Sequence, residues 1–479
     1  MVNAVDFNGR PFHFIGVGGI GMSALAYILA QKGFCVSGSD VRPNHITHKL
    51  ESIGVSFFGR QEAANLEFFN GKYVSAELTS GGKYTTPQVV CSTAINANNS
   101  EYKAALEKGC PIFHRSDILA ALISQYNSIA VAGTHGKTTT SSMIGYMLLK
   151  AGVDPTIIVG GEVKAWEGNA RLGQSPYLVA EADESDGSLV KHSPEIGIIT
   201  NIELDHPDHY DTLDQVIDIF KTFTSQCKTL VACIDCETVR DRFQPDISYS
   251  LSPDSGADYY ATNIDYRADG TTALVWEKGI ALGVLNLSVL GHHNLSNALA
   301  AVAIGRQLGL EFGEIARGLA TFEGARRRFE FRGEVDGITF IDDYAHHPSE
   351  LSATLAAARL QARPGQRVVA IFQPHRYSRT HKFLAEFAAS FSHADLVLLT
   401  DIYSAGEPNT GLISGEQLTA QVAKNHSNVE YRPTLAGVSE YLEKNLRPGD
   451  LALFLGAGNL NQTIPLVLDS LRQPAQATS

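Results

Sequence analysis

The feature that most constrains how this chain can fold is an alternation of short apolar runs with helical stretches. An apolar run at residues 12–17 leads into a glycine-rich loop, a helical pattern and a second apolar run that ends at Asp40. The same order recurs at Ser128, where SIAVAG precedes a tight turn and a helix that closes at Gly152. Strands alternating with helices favour parallel sheets covered on both faces, so the sequence predicts an α/β fold.

The length of the chain and two internal landmarks indicate how it is divided. At about 100–200 residues per domain, 479 residues predict two to four domains. A new strand–turn–helix unit begins at Ser128, and three consecutive arginines at 326–328 precede a return to strand. Between them, residues 228–290 are rich in short β-prone runs. We therefore expect domain joints near residues 123 and 330, with a small β region inside the middle domain.

Charge and composition narrow the classes of partner. The formal net charge of -13 disfavours nucleic acid and anionic lipid, although a few local donors can still bind a phosphorylated small molecule. Six scattered cysteines are too few for a disulfide scaffold, and the lone pair Cys233 and Cys236 lacks the further ligands of a zinc site. No stretch of about 20 apolar residues occurs. We expect a cytoplasmic protein, either a monomer or a weak homodimer, without nucleic-acid or membrane partners.

The second glycine loop has the chemistry of a phosphate-binding site. Gly133 and Gly136 lie between a strand and a helix, and Lys137 and Thr138 follow directly. Glycines let backbone amides curl around phosphate oxygens, the lysine reaches the terminal phosphates, and the hydroxyl can hold Mg²⁺. The spacing departs from the full Walker A form, because Val131 stands where its first glycine would be. The alternative is an ordinary tight turn with a surface lysine.

Acidic and histidine-rich segments follow the next two predicted strands. EADESD begins at Glu181, and NIELDHPDHY contains His206. Carboxylates at the carboxyl end of a parallel sheet face the ligand crevice, and Mg²⁺ prefers such hard oxygen ligands. Glu181 is therefore the best metal candidate, and His206 suits a second metal or its orienting shell. The alternatives are a solvated acidic loop and structural histidines.

Polar residues also mark the start of a later helix and two strand ends in the last domain. Asn294 and Asn297 share one helical face, where they can bind an adenine edge or simply cap the helix. DDYAHHP and QPHRYSRT each lie where a strand gives way to a helix. Arg376 and Arg379 in the second segment can hold a carboxylate or a phosphate through paired hydrogen bonds. Each segment can also be an ordinary polar loop.

The first glycine loop is ambiguous by itself. Gly16, Gly18 and Gly21 form a GxGxxG pattern, and Asp40 follows nineteen residues after the last of them. An NAD-binding unit shows this arrangement, so the loop alone favours an oxidoreductase. That hypothesis leaves the GTHGKTTT loop and the acidic segments without a role.

Together these motifs resemble the Mur ligase family of ATP-dependent amide ligases. The matching segments span nearly the whole chain in the family's order: FIGVGGIGM, AGTHGKTTT, EADESD, TNIELDHPDHY, GHHNLSNALAA, RRRFEFRG, DDYAHHP, QPHRYSRT, DIYSAGE and GAGN. Within the family the chain is most similar to the branch that joins L-alanine to UDP-N-acetylmuramate through an acyl phosphate. A muropeptide-recycling relative and a non-catalytic nucleotide-binding regulator remain alternatives.

The resemblance implies three domains. The expected ranges are a Rossmann-like UDP-binding domain at 1–123, a central P-loop ATPase-like domain at 124–330, and a Rossmann-like domain at 331–479 that closes over ATP and the amino acid. The substrates would be small molecules, with ATP and Mg²⁺ as cofactors. Lys221 is not a convincing match for the carbamylated lysine that often holds the second metal in this family.

The resemblance also implies roles for individual residues. The expected UDP-binding set is Gly18, Gly19, Ile20, Gly21, Asp40 and Ser92. The expected ATP-binding set is Gly133, Thr134, His135, Gly136, Lys137, Thr138, Thr139, Asn294 and Asn297. The expected metal ligands are Thr138, Glu181 and His206. The expected catalytic set is Lys137, His206, Arg328, Asp343 and His347, with His375, Arg376 and Arg379 on the side of the amino acid and the muramoyl carboxylate.

Overall fold

The structure, a computed structural model, describes residues 4–69 and 86–472. Three β-sheets follow one another along the chain, and each is built from its own stretch of sequence. This confirms the prediction of an α/β protein with three domains. Among the described residues, no helix has both the length and the apolar character needed to cross a bilayer.

The N-terminal domain is a five-stranded parallel sheet in the order β3-β2-β1-β4-β5. Its strands are β1 Phe12–Ile15, β2 Val36–Ser39, β3 Ser56–Phe58, β4 Gln88–Cys91 and β5 Ile112–His114. Its helices are α1 Ile20–Gln31, α2 His45–Ser52, α3 Ser100–Glu107 and α4 Arg115–Ile123. The strand order reverses beside β1, and such a switch point places the loop after β1 at a ligand crevice.

The central domain is a ten-stranded sheet in the order β15-β14-β13-β12-β11-β10-β6-β9-β7-β8. Its strands are β6 Asn127–Ala132, β7 Thr156–Val163, β8 Gly168–Arg171, β9 Tyr177–Glu181, β10 Ile196–Ile199, β11 Thr229–Cys233, β12 Ile247–Ser250, β13 Tyr259–Arg267, β14 Gly270–Glu277 and β15 Ile280–Leu287. Its helices are α5 Lys137–Lys150, α6 Leu213–Gln226, α7 Glu237–Arg242, α8 His292–Gln307 and α9 Phe312–Ala320. The predicted β region continues this sheet, because β12 pairs in parallel with both β11 and β13. The pairs β13–β14 and β14–β15 at this edge and β7–β8 at the opposite edge are antiparallel.

The C-terminal domain is a six-stranded sheet in the order β16-β17-β21-β18-β19-β20, parallel except for β16. Its strands are β16 Glu330–Val335, β17 Ile338–Asp343, β18 Val368–Phe372, β19 Leu396–Leu399, β20 Val429–Tyr431 and β21 Leu451–Leu455. Its helices are α10 Pro348–Gln361, α11 Tyr377–Lys382, α12 Leu384–Ala389, α13 Gly415–Val422, α14 Leu435–Asn445 and α15 Thr463–Arg472.

The two junctions between domains differ in chemistry. Helix α1 packs both on its own sheet and on β7 and β8, and this double contact buries Leu25 and Leu29 in one core with Ile158 and Leu178. A helix that is apolar on most sides is stable only when it is covered in this way. The C-terminal domain instead meets the central domain through ion pairs such as Arg379–Asp205. The first junction is therefore core-like and the second is polar.

Candidate functional site

A cleft of about 1180 Å³ opens where the three domains meet. Many of the residues singled out from the sequence line it: Gly19, Ile20, Gly21, Ser92, Thr134, Gly136, Lys137, Thr138, Glu181, His206, Arg328, His375, Arg376 and Arg379. Parallel strands from all three sheets direct their carboxyl ends toward this region, as expected for α/β proteins. One space therefore reaches both glycine loops and the arginines of the C-terminal domain.

The loop between β6 and α5 has a backbone that only glycine can adopt. Gly133 has φ 139°, and a Cβ built on it would lie 1.9 Å from Thr200 Oγ1. Gly136 has φ 82°, and its Cβ would lie 2.7 Å from Asn297 Oδ1. Gly136 is also the N-cap of α5 and forms no side-chain cap within the described chain. The first amides of α5 therefore remain available to an anion, and the helix dipole favours one there.

Lys137 is held at the mouth of this loop. Its ammonium donates to the carbonyl oxygens of Gly133 and Thr134 at 2.6 and 3.1 Å and to Glu184 Oε2 at 2.8 Å. Burial would lower the pKa of Lys137, but Glu184 and Asp183 outweigh it and raise that pKa above its usual range. The lysine is charged at neutral pH. An incoming phosphate therefore has to take the place of the Glu184 carboxylate.

Thr138 and Glu181 form an oxygen pair beside the lysine. The Thr138 hydroxyl donates to Glu181 Oε1 at 3.0 Å, and the Gly160 amide donates to Glu181 Oε2 at 2.6 Å. Burial raises the pKa of Glu181, although Lys137 opposes this. A buried carboxylate and a hydroxyl are hard ligands for Mg²⁺, and a cation would relieve the cost of burying this charge. The residues present fit the predicted magnesium site.

His206, in the segment after β10, lines the same cleft as this pair. Its Nε2 lies 3.6 Å from both Glu184 Oε1 and Asp205 Oδ2. Burial would lower the pKa of His206, but the contact with Glu184 and the charge of Asp205 outweigh it and raise that pKa. Its backbone is left-handed at φ 55°, a conformation that costs free energy and is concentrated at functional sites.

The loop after β1 makes a different set of contacts. The Gly18 amide donates to Asp40 Oδ2 at 2.9 Å, and a Cβ on Gly18 would lie 2.9 Å from the same oxygen. Asp40 therefore fixes the loop backbone, which explains why aspartate at this spacing does not by itself identify a nicotinamide cofactor. Gly19 is the N-cap of α1 without a side-chain cap among the described residues. The start of α1 thus presents free amides to the cleft.

Arg115 was not singled out from the sequence, yet it connects the start of α1 with the acidic segment that follows β9. Its Cδ lies 3.7 Å from the Cβ position of Gly21, and its guanidinium lies 3.1 Å from Asp183 and 3.3 Å from Asp186. It is the first residue of α4, directly after β5. A basic residue just after a predicted strand was the only signal in the sequence that could have indicated it.

The C-terminal domain contributes histidines and arginines. Arg379 is buried and donates through Nε to Asp205 Oδ1 at 2.8 Å, while Arg376 pairs with Asp208. The pKa of His346 falls to about 4 and that of His375 to about 3, because burial disfavours their charged forms. Neutral imidazoles beside guanidinium groups suit the binding of a carboxylate.

Several predicted residues lie behind the cleft surface rather than on it. Asn297 accepts a hydrogen bond from Thr140 at 3.0 Å, and Asn294 donates to the Leu290 carbonyl at 2.7 Å, so both side chains brace the loop and α8. Asp343 accepts from the amides of Phe329 and Ala345, and burial raises its pKa to about 6. Among the described residues, the predicted site residues that do not line the cleft are Gly18, Asp40, Gly133, His135, Thr139, Asn294, Asn297, Asp343 and His347.

Comparisons with known proteins bear on this arrangement. Family profiles described as "Mur ligase family, catalytic domain", "Mur ligase middle domain" and "Mur ligase, glutamate ligase domain" match residues 11–127, 131–305 and 327–458. The chain belongs to the Mur ligase family. The three matches follow the three sheets in order, and the family is one of ligases, so an oxidoreductase built on the first glycine loop is not favoured.

Individual relatives within the Mur ligase family extend this result. A UDP-N-acetylmuramate–L-alanine ligase from Nostoc punctiforme is 77% identical, with all of both chains covered. The protein of the same name from Microcystis aeruginosa is 63% identical over 98% of each chain. Among solved structures, a UDP-N-acetylmuramate–alanine ligase from Thermotoga maritima is 27% identical with a TM-score of 0.79, covering 96% of this chain and 98% of that one.

Proposed function

We propose that this chain joins L-alanine to the lactyl carboxylate of UDP-N-acetylmuramate, with conversion of ATP to ADP and phosphate. The observation that carries this proposal is the full-length identity of 77% to the Nostoc punctiforme protein of that activity. The cleft supports it, because one space reaches a phosphate loop with a magnesium pair, a second amide cradle and a group of arginines.

The reaction needs activation because a carboxylate is a poor electrophile. Attack of a carboxylate oxygen on the γ-phosphorus of ATP forms an acyl phosphate and releases ADP. The amine of alanine then attacks the acyl carbon, and phosphate leaves with that oxygen. Such chemistry depends mainly on positioning and on neutralising charge.

The residues of the second loop suit the first of these steps. Lys137 would leave Glu184 and neutralise the β- and γ-phosphates, while the amides at the start of α5 hold their oxygens. Thr138 and Glu181 would hold Mg²⁺, and His206 would hold or orient a second ion. Bound Mg²⁺ would neutralise negative charge on the phosphates while the γ-phosphoryl group is transferred. Arg328 is proposed to reach the nucleotide from the domain joint. The two asparagines and Asp343 are proposed to support the nucleotide site from behind the cleft surface.

The remaining surfaces suit the other two substrates. The amides of Ile20 and Gly21, with Ser92, would bind the diphosphate of the UDP-sugar at the start of α1, because the Gly19 amide already donates to the Gly16 carbonyl. Arg376 and Arg379 would bind the carboxylate of alanine, with His375 nearby. To do so, the two arginines would have to exchange their contacts with Asp208 and Asp205. Because all three domains of a single chain build the cleft, we further propose that the enzyme acts as a monomer or a weak homodimer. We also propose that it is cytoplasmic.

The test is phosphate release from ATP in the presence of UDP-N-acetylmuramate and one acceptor at a time. L-alanine, other amino acids and the tripeptide L-alanyl-γ-D-glutamyl-meso-diaminopimelate are compared, and the product is weighed by mass spectrometry. We expect release that requires L-alanine and a product heavier by one alanine residue. Release with the tripeptide alone would assign a peptide-recycling activity instead, and no release with any acceptor would contradict the proposal.

A further inference from the structure

A cluster of metal-binding side chains lies outside the substrate cleft. His135, Glu203 and His347 each offer one nitrogen or oxygen atom, and these atoms lie within 4.8 Å of one another. None of these three residues belongs to the described residues that line the cleft. The cluster is therefore separate from the Thr138–Glu181 pair, and it spans the polar junction between the central and C-terminal domains.

Two histidine nitrogens in the cluster are buried without a hydrogen bond, although one of them, His135 Nε2, lies 3.4 Å from Glu203 Oε2. Nε2 of His135 and Nε2 of His347 are both inaccessible to solvent and form no hydrogen bond with any part of the chain that the structure describes. His347 is only 4% exposed, so water cannot readily satisfy its nitrogen. Buried polar atoms normally have a partner, and an exception indicates an ion or another ligand that the protein chain does not supply.

The three residues are held in place by other contacts. The backbone of His135 is fixed on both sides, because its amide donates to Asn201 Oδ1 at 2.9 Å and its carbonyl accepts from Thr200 Oγ1 at 2.6 Å. Glu203 Oε2 accepts from the Ser349 hydroxyl at 2.7 Å. His347 is the N-cap of α10, and its Nδ1 accepts from the Ser349 amide at 3.3 Å, which leaves Nε2.

The spacing and the chemistry of the donors fit a transition metal. Zinc bonds to nitrogen at about 2.0–2.1 Å, so its ligand atoms lie roughly 3.3 Å apart in a tetrahedron. His135 Nε2 and Glu203 Oε2 are already 3.4 Å apart, and His347 Nδ1 lies 3.9 Å from the same oxygen. The ring centroids of His135 and His347 are 4.7 Å apart, so closing the site requires a movement of the His347 side chain. Two imidazoles and one carboxylate are a common zinc set, whereas Mg²⁺ and Ca²⁺ prefer oxygen alone.

The surrounding charge also favours a cation. Glu350 Oε1 lies 3.4 Å from His135 Nδ1, so a second carboxylate faces the cluster. Burial would lower the pKa of His135, but its contacts with Glu203 and Glu350 outweigh it and raise that pKa to about 10. The two carboxylates thus favour positive charge at this position, and a bound metal ion would have to displace the imidazole proton.

We propose that His135, Glu203 and His347 bind one divalent transition-metal ion, of the zinc class, between the central and C-terminal domains. His135 and Glu203 belong to the central domain and His347 caps the first long helix of the C-terminal domain. The bound ion would connect the phosphate loop directly to the C-terminal domain and hold the two together in the arrangement seen here. This site does not depend on the identity of the amino acid substrate.

The test uses the full-length protein after chelator treatment and dialysis into millimolar Mg²⁺, which occupies the magnesium site. Co²⁺ is titrated as a spectroscopic probe, and Zn²⁺ affinity is measured by competition with a chromophoric chelator. His347→Asn removes the imidazole while keeping a good N-cap for α10, and Glu203→Gln removes the carboxylate without changing its shape. His48→Asn, at a histidine whose side chain is 70% exposed, is the matched control.

We expect one Co²⁺ per chain with a four-coordinate visible spectrum, and a Zn²⁺ affinity reduced at least about tenfold in each test variant but not in the control. If His347→Asn does not fold, as judged by circular dichroism, Glu203→Gln decides the result. Unchanged affinity in the folded test variants, thiolate charge-transfer absorption from the Cys233–Cys236 segment, or no binding at all would each overturn the proposal.

Discussion

The two glycine loops share a strand–loop–helix order but differ in what surrounds them. Each joins a buried strand to a helix that begins at a glycine N-cap, Gly19 in the first and Gly136 in the second. The second loop carries Lys137 and ends beside the Thr138–Glu181 oxygen pair. The first carries no lysine, and its Gly18 amide is already taken by Asp40.

This difference separates binding a phosphate from transferring one. Free helix amides are sufficient to hold a diphosphate, so both loops can bind one. Transfer also requires a mobile positive charge and metal ligands at the terminal phosphate, and those surround only the second loop. We therefore expect substitutions at the second loop to lower the catalytic rate, and substitutions at the first to weaken binding of the UDP-sugar.

The largest effect is expected from Lys137→Met. Removing the ammonium deprives the developing phosphate charge of its main protein cation, so kcat should fall about 10²–10³-fold. Steady-state phosphate release measures this. Lys164→Met, at a lysine whose side chain is 85% exposed, is the control and should keep the parent rate. A kcat for Lys137→Met close to that of the parent would show that the second loop does not act in phosphoryl transfer.

Glu181→Gln should separate metal binding from folding. The amide retains the shape but not the charge, so the Mg²⁺ concentration for half-maximal rate should rise at least about tenfold. The unfolding temperature should not fall, because burial already raises the pKa of this carboxyl and makes its charged form costly. Glu323→Gln, at a surface carboxylate, is the control. An unchanged Mg²⁺ requirement would remove Glu181 from the metal site.

Gly18→Ala should affect the first loop alone. Its Cβ would lie 2.9 Å from Asp40 Oδ2, so the loop has to shift. An overpacking cost of about 1 kcal/mol, at the low end of the usual range, corresponds to roughly a fivefold higher KM for the UDP-sugar. The KM for ATP should not change. Gly59→Ala, where a Cβ would meet no atom of the described structure within 4 Å, is the control. An equal rise in both KM values would mean that the loops do not divide the substrates.

The smallest effect is expected at the ion pair between Arg115 and Asp183 in the acidic segment after β9. Burial would raise the pKa of Asp183, but Lys137 and Arg115 outweigh it and lower that pKa from 3.8 to about 2. A lowered carboxyl pKa contributes stability above about pH 4, and that stability is lost as the pH falls toward 2. Arg115→Met should therefore lower the unfolding temperature by a few degrees at pH 7, since about 1 kcal/mol corresponds to roughly 2–4 °C.

The pH dependence of the Arg115→Met effect serves as a control for the role of charge. Between pH 4 and pH 2 the parent loses the contribution of Asp183, so the difference in unfolding temperature between parent and Arg115→Met should narrow. Scanning calorimetry across this range measures both proteins. A difference that is constant with pH would show that the loss comes from packing of the arginine stem and not from its charge.

Local sequence patterns were sufficient to predict the fold, but they predicted only part of the candidate site. The strand, glycine-loop and helix order predicted the parallel sheets, because periodicity and turn chemistry are local properties. The first loop could not identify its ligand, since Asp40 has a structural role that any such loop can use. The pairing of Lys137 with Glu184 and the bracing role of Asn297 depend on contacts between segments distant along the chain, which no local pattern reveals.

The most direct test of activation of the carboxylate by ATP is to follow one carboxylate oxygen into the released phosphate. UDP-N-acetylmuramate labelled with ¹⁸O in its lactyl carboxylate is incubated with ATP, Mg²⁺, L-alanine and the enzyme, and the released phosphate is analysed by ³¹P NMR. Because the attacking carboxylate oxygen leaves with phosphate, the account predicts one ¹⁸O in each phosphate formed from doubly labelled substrate. Phosphate without ¹⁸O, released alongside the alanyl product, would contradict activation of the carboxylate by ATP at the second loop.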